Sequence, residues 1–314
     1  DAIGVQFAQR YITQFGFAPE SLPPNLSMSL GTSSLTPMAV TRGYAAFANG
    51  GYRIDPWFIA RVEDRHGTVI LETHPRRACP TCAANAEGFG GQPTVVDGFN
   101  FGAVAPAAPV AAVDAAGGIA GSAEGGAPAA AAGPALTAED RIDEPGPPEG
   151  GTADRAIDPR TAFLVRSLLL DVVTRGTGTA AKSLGRADVG GKTGSTNDHR
   201  DAWFAGMGGD LVTTVWVGRD DFTPLGRGEY GGRAALPIWI GYMGAALKDV
   251  PVAEPALPAG LLAVTVNPAT GGLLPDGTPG GMTDFVKAED YDRMMAAGFN
   301  VGDAEVAEEA FDVF

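Results

Sequence analysis

The chain is poor in the side chains that metal and redox chemistry rely on, with two cysteines and three histidines in 314 residues. Structural zinc sites need four Cys or His ligands at tight spacing. That leaves at most one place for such a site, Cys79-Pro80-Thr81-Cys82 with His66 and His74 upstream. Positive charge is also scarce: 22 Lys+Arg stand against 37 Asp+Glu, for a net charge of −15. Such a field repels a phosphate backbone, and no basic patch interrupts it, which excludes nucleic acid as a partner. No run approaches the roughly 18–20 apolar residues of a membrane span. The opening Asp1-Ala2-Ile3-Gly4-Val5 has neither Met nor a basic, apolar leader. Instead Ile3, Phe7, Tyr11 and Phe15 recur every fourth residue, with Gly16 placed as a cap. A chain that opens inside a helical face is expected to be a piece of a longer one.

Glycine (45) and proline (24) are abundant, and much of both falls in one stretch. Gly102 to Pro134 is almost wholly Ala, Gly, Pro and Val, and Arg141 to Gly151 is acidic and Pro-rich. Small side chains bury too little surface to offset the entropy of ordering the backbone. Residues 79–157 are therefore expected to form a flexible, exposed, non-catalytic insert. The rest divides into residues 1–78, residues 158–250 and a tail module over 251–314, with the acidic end beyond Asp303 solvated.

Helix signals are clear on both sides of the insert. Thr36-Pro37 and Asp158-Pro159 each pair an N-cap residue with Pro at the first helical position. The second helix carries Phe163, Leu164, Leu168, Leu169 and Val172 on a broad apolar arc, which predicts burial. Tyr52–Ile54, Phe58–Val62 and Thr68–Leu71 read as short strands. Three more follow at Val189–Thr196, Asp201–Gly208 and Leu211–Gly218, the last two joined by a Gly208-Gly209-Asp210 hairpin turn. A final apolar helix over Ala234–Leu247 and a strand over Leu262–Val266 complete the reading. Helices alternating with antiparallel strands predict an α+β fold, a sheet with helices packed on it.

Gly190-Gly191-Lys192-Thr193-Gly194-Ser195 admits three readings. The plainest is an exposed glycine-rich turn. A phosphate-binding loop is the second, since Gly191-Lys192-Thr193 ends like a Walker A motif, but the register fails. The required glycine falls at Arg186, Gly185 stands one place too early, and strand rather than helix follows the lysine. The third puts the string on an edge strand beside an acyl-transfer cleft. Lys192 supplies positive charge for a substrate carboxylate. The hydroxyls of Thr193 and Ser195 lie two residues apart, on one face of a strand, where both can bond that carboxylate. Gly194 faces the other way and lets neighbouring structure pack close. A backbone N–H on the strand completes an oxyanion hole.

Together with its flanks, this string resembles the third-motif region of class A, bifunctional penicillin-binding proteins. Lys192-Thr193-Gly194-Ser195 is followed by Asp201-Ala202-Trp203-Phe204-Ala205-Gly206 and by Val215-Trp216-Val217-Gly218-Arg219-Asp220-Asp221. Upstream, Leu30 to Met38, Tyr44 to Gly51 and Gly176-Thr177-Gly178-Thr179 match further blocks in the right order. The resemblance covers about residues 3–76 and 158–275. It implies an incomplete transpeptidase fold and a peptidoglycan D,D-transpeptidase acting through an acyl-serine on D-Ala-D-Ala stem peptides. It also implies β-lactams as ligands, cell-wall synthesis proteins as partners and no cofactor. The parent protein is expected to carry a glycosyltransferase domain and an N-terminal helix anchoring it at the periplasmic face of the inner membrane. By the same resemblance Lys192, Thr193, Gly194 and Ser195 bind substrate, and the Ser195 amide is the oxyanion donor. Ser195 stands where the family more often has Thr, and the hydroxyl is kept.

The nucleophile of Ser-x-x-Lys is missing: none of the nine serines has Lys three residues on. Thr179-Ala180-Ala181-Lys182 has the spacing but sits in a turn. The isolated chain is thus expected to be inactive. A non-catalytic scaffold of the cell-wall machinery is the rival function, and a nucleotide binder the remoter one. Cys79 and Cys82 are open to a disulfide, free thiols or metal. His199 reads as a loop residue rather than a base, and Trp203 and Trp216 as core.

Overall fold

The computed structural model describes residues 3–79, 95–96, 99–100 and 149–296. Most of the insert and the acidic end beyond Asp303 lie outside the described residues. The chain divides into two compact units, residues 1–56 with 155–314, and residues 57–154.

The first unit opens with α1 (Val5–Thr13), whose i, i+4 aromatics form a ladder of rings. Phe7 and Tyr11 lie 6.0 Å apart, Tyr11 and Phe15 6.1 Å, and Phe15 reaches Phe47 at 5.5 Å. Phe47 sits on α2 (Pro37–Ala48), capped as its sequence predicts by Thr36 Oγ1, which accepts the Ala39 N–H at 3.2 Å. Phe15 and Ala46 bury against Ala156, Ile157 and Ala162. The expected strand at Tyr52 is a single bridge to Arg155, and the Arg155 guanidinium donates to the Gly50 carbonyl at 2.6 Å.

In the second unit, β1 (Arg61–Glu63) and β2 (Val69–Glu72) form an antiparallel hairpin. Its turn is tied by Asp64, whose Oδ1 accepts the N–H groups of Thr68 and His66. Those bonds hold the Asp64 carboxyl below its ordinary range. A two-residue pair, β3 (Val95–Val96) with β4 (Phe99–Asn100), follows. Arg77 bridges Thr152 through Arg77 N–H to Gly151 O (3.1 Å) and Ala153 N–H to Arg77 O (2.9 Å). Cys79 is disulfide-bonded, which removes its free-thiol and metal readings. The other cysteine of the sequence, Cys82, lies outside the described residues.

Returning to the first unit, α3 (Pro159–Thr174) starts at buried Asp158, whose Oδ1 accepts the Arg160 N–H at 2.7 Å. Ala162, Leu169 and Val173 point inward, but Leu168, expected inside, is 64% exposed. The apolar arc is wider than the surface available to cover it. Strands β5 (Gly190–Ser195), β6 (Ala202–Gly208) and β7 (Leu211–Val217) form an antiparallel sheet in the order β5-β6-β7. The short α4 (Gly231–Ala234) leads into α5 (Leu236–Ala246). Trp239 of α5 is fully buried edge-on to Phe204 of β6, ring centroids 4.9 Å apart. This corrects the tryptophan reading: Trp216 is 38% exposed, its indole N–H donating to Asp201 at 2.9 Å, and the core indole is Trp239.

The tail has more structure than its sequence suggests. β8 (Leu261–Val266), β9 (Leu273–Leu274) and β10 (Met282–Lys287) form a sheet in the order β10-β8-β9, followed by α6 (Ala288–Ala296). It docks on α3 through Phe285 edge-on to Phe163 at 5.0 Å and through Glu289, which accepts from Arg160 at 2.9 Å.

Candidate functional site

The Lys-Thr-Gly-Ser string is β5, an edge strand among the described residues. Its two leading glycines let the strand lie directly on neighbouring structure. A Cβ on Gly190 would stand 2.9 Å from the Leu169 carbonyl carbon and the Leu170 nitrogen, which are α3 backbone. Backbone cannot swing aside, so Gly190→Val is expected to destabilise the chain by about 1–3 kcal/mol in urea unfolding. Gly241→Ala on α5, where a Cβ meets nothing within 4 Å, is the control and is expected to cost nothing.

Pairing fixes which backbone groups of β5 are free. The register sets Lys192 opposite Ala205, Thr193 opposite Phe204, Gly194 opposite Trp203 and Ser195 opposite Ala202. The Thr196 N–H donates to Asp201 O at 3.1 Å, continuing the ladder. In an antiparallel pair these inward bonds alternate, so residues 192, 194 and 196 face β6 while 191, 193 and 195 turn their N–H groups to the open edge. The Ser195 amide is one of them.

Strand alternation puts Thr193 and Ser195 on one face and Lys192 on the other. The Lys192 side chain is exposed and curls around the edge, its Nζ donating to Thr193 O at 3.1 Å and lying 3.5 Å from Thr193 Oγ1. The Thr193 hydroxyl also meets Thr177 Oγ1 at 2.9 Å. Ser195 Oγ accepts the Gly231 N–H at 2.9 Å. Gly231 is wedged there: a Cβ would stand 2.3 Å from Trp203 O and 2.5 Å from Gly194 O. The structure thus brings one ammonium and three hydroxyls together. Sequence reasoning named Lys192, Thr193, Gly194 and Ser195 as the site. It read Thr177 only as part of a matching glycine-rich block and placed neither Thr177 nor Gly231 here, since they lie 16 and 36 residues from their partners.

Beyond the strand, Thr196 Oγ1 closes a short turn by accepting the N–H groups of Arg200 (2.9 Å) and Asp201 (2.8 Å). His199 belongs to this turn, and its carbonyl accepts the Leu225 N–H at 2.8 Å. Among the described residues, no Asp, Glu or His hydrogen-bonds the side chains of Lys192, Thr193 or Ser195, and no cluster of metal-ligating side chains occurs. A cavity of about 260 Å³, lined by Ala48, Arg166, Met207, Gly209, Ala253, Glu254 and Pro255, lies elsewhere. Met207 pairs with Gly190, at the end of the strands opposite Ser195, so it is not this site.

Below the site, Asp188 anchors the start of β5. Its carboxylate is buried and takes two bonds from Arg186 (2.9 and 2.8 Å), with further bonds from the N–H groups of Gly209 (2.9 Å) and Ala253 (2.7 Å). Burial pushes its pKa up, but the Arg186, Ala253 and Gly209 hydrogen bonds with the Arg186 charge outweigh it, and the net shift is downward.

A three-stranded antiparallel sheet with Lys-Thr-Gly-Ser on its open edge and helices α3 and α5 packed on it is the α+β arrangement of penicillin-binding proteins. The solved penicillin-binding protein 1A of Haemophilus influenzae superposes with a TM-score of 0.68 and 30% identity, over 91% of this chain and 37% of that one. In sequence, the chain is 42% identical over 290 residues to penicillin-binding protein 1A of Pseudomonas aeruginosa, covering 92% of this chain. It is 33% identical over 262 residues to the Neisseria lactamica protein of the same name, covering 83% of this chain. The chain is homologous to class A penicillin-binding protein 1A, and spans 32% and 24% of the lengths of these two relatives. No family model matches it.

Proposed function

We propose that the chain supplies the substrate-binding wall of a peptidoglycan D,D-transpeptidase, the serine nucleophile coming from residues outside these 314. The observation that carries this reading is the open edge of β5, with an ammonium and hydroxyls gathered on it. An acyl-D-alanyl-D-alanine peptide lies along the edge, its carboxylate bonded by the hydroxyls of Thr193 and Ser195 in the field of Lys192. The Ser195 N–H points where the oxygen of the scissile carbonyl carries charge as the serine adds to it. Collapse of the tetrahedral adduct expels D-alanine and leaves an acyl-serine, which the amine of a second stem peptide attacks to form the cross-link. β-Lactams acylate the same serine. This assigns the chain to a parent protein with a glycosyltransferase domain, anchored at the periplasmic face of the inner membrane. Among the described residues no helix is long and apolar enough to cross a membrane.

The test is labelling with a fluorescent penicillin. The isolated chain is expected to stay unlabelled, because no serine in it is followed by Lys at the third position. A polypeptide extended to include Ser-x-x-Lys is expected to label, and Lys192→Ala in it to slow labelling about 100-fold, the scale of losing a charge-assisted contact. Labelling of the isolated chain would mean that the nucleophile has been misplaced. An unlabelled extended protein that still folds would favour the scaffold.

A further inference from the structure

Each hydroxyl of β5 meets a partner remote in sequence. Ser195 Oγ accepts the Gly231 N–H, and Thr193 Oγ1 lies 2.9 Å from Thr177 Oγ1. A hydroxyl carries one proton and two lone pairs. Gly231 engages one lone pair of Ser195, and no acceptor for its proton stands among the described residues, so that proton is left for a ligand. The Thr193–Thr177 pair holds two protons and uses one between them, so one is left there as well, whichever residue donates. Lys192 Nζ, 3.5 Å from Thr193 Oγ1, puts positive charge beside that oxygen and turns the Thr193 proton away from it.

Thr177 is held firmly enough to direct its neighbour. It sits in the turn that closes α3, between Gly176, whose N–H donates to Asp171 O and Val172 O, and Gly178, whose N–H donates to Val172 O at 2.9 Å. The same helix lies on β5 at Gly190. On its other side the Thr177 carbonyl stands against Gly232, one residue beyond the glycine that bonds Ser195. The glycine-rich turn after α3 and the two glycines that open α4 thus orient the two hydroxyls of one strand face.

We infer that Thr177 is a positioning residue for carboxylate recognition: its hydroxyl orients that of Thr193 toward the terminal carboxylate of an acyl-D-alanyl-D-alanine ligand. The inference rests on the substrate-binding reading of β5 given above. The test titrates the ¹⁵N-labelled chain with N-acetyl-D-alanyl-D-alanine and with its C-terminal amide, following the amide signals of Ser195 and Gly231. The unmodified chain is expected to bind the acid more tightly than the amide. Thr177→Val is expected to weaken acid binding about tenfold, the worth of one hydrogen bond to a charged group. Amide binding is expected to stay unchanged and Thr177→Ser to restore acid binding; a merely structural defect would weaken both ligands together. Equal acid binding by Thr177→Val and the unmodified chain overturns the role of Thr177 and leaves the β5 site standing. Failure of the unmodified chain to prefer the acid removes the carboxylate site itself, and the inference with it.

Discussion

Asp188→Ala is expected to lower the unfolding free energy by about 3–5 kcal/mol, the cost of removing one partner from a buried ion pair. The carboxylate side chain is fully buried, and its Arg186 partner is only 11% exposed. Without Asp188 the Arg186 charge loses both its bonds to the carboxylate, and the N–H groups of Gly209 and Ala253 lose their acceptor. Those groups belong to three separate stretches: the entry to β5, the turn between β6 and β7, and the crossing that follows α5. One side chain therefore ties the sheet to the segment leading into the tail. For a domain of this size the loss corresponds to a fall in Tm of roughly 6–20 °C. Asp188→Asn keeps the shape and an acceptor but not the charge, and is expected to cost less.

The pH dependence has a definite sign. The folded pKa of Asp188 is lowered from its ordinary value of 3.8. A carboxylate with a depressed folded pKa contributes stability that is fully present above the unfolded pKa and is lost as pH falls through the folded one. The difference in Tm between the unmodified chain and Asp188→Asn is thus expected to be constant above about pH 5 and to shrink on acidification below about pH 4. A gap that stays constant down to pH 2 would show that the charge of Asp188 contributes nothing.

Asp188 also marks where sequence reading stops. Capping is local, so Thr36 and Asp158 announced their helices within three residues of the groups they bond. The three strands from Val189 to Gly218 were legible for the same reason, since alternation and a Gly-Gly-Asp turn are short-range signals. Contacts of longer span leave no periodic trace. Asp188 meets Ala253 65 residues on, and Gly231 meets Ser195 across 36, so neither partner was visible beforehand. Strand β10 was passed over because its Met-Thr-Asp-Phe-Val-Lys pattern shows too little apolar alternation. Trp203, Trp216 and Trp239 look alike as letters. Their burial is decided by sheet order and by which helix lies against which face.

The effect of Trp239→Ala shows what that burial is worth. Loss of about 3–5 kcal/mol is expected on replacing this indole, from the transfer of its apolar surface plus the cavity left behind. Trp239 is fully buried, its N–H donates to Thr213 O on β7 at 3.0 Å, and its ring lies edge-on to Phe204 on β6. Leu236 and Met243 of α5 and Leu247 just after it share the same cluster, and their close packing limits collapse into the space. Trp239→Phe keeps much of the ring but leaves the Thr213 carbonyl without this donor, and is expected to cost about 1–3 kcal/mol. The consequence reaches the site, because Phe204 is paired in register with Thr193. A ring that sinks toward the vacated space draws β6 with it, and with β6 the backbone that sets the two hydroxyls and the free Ser195 N–H of β5. Trp239→Ala is therefore expected to weaken binding of N-acetyl-D-alanyl-D-alanine even at temperatures where the variant remains folded. Urea unfolding measures the first effect and the same amide titration the second. Full destabilisation with unaltered binding would show that β5 is held by α3 and α4 alone.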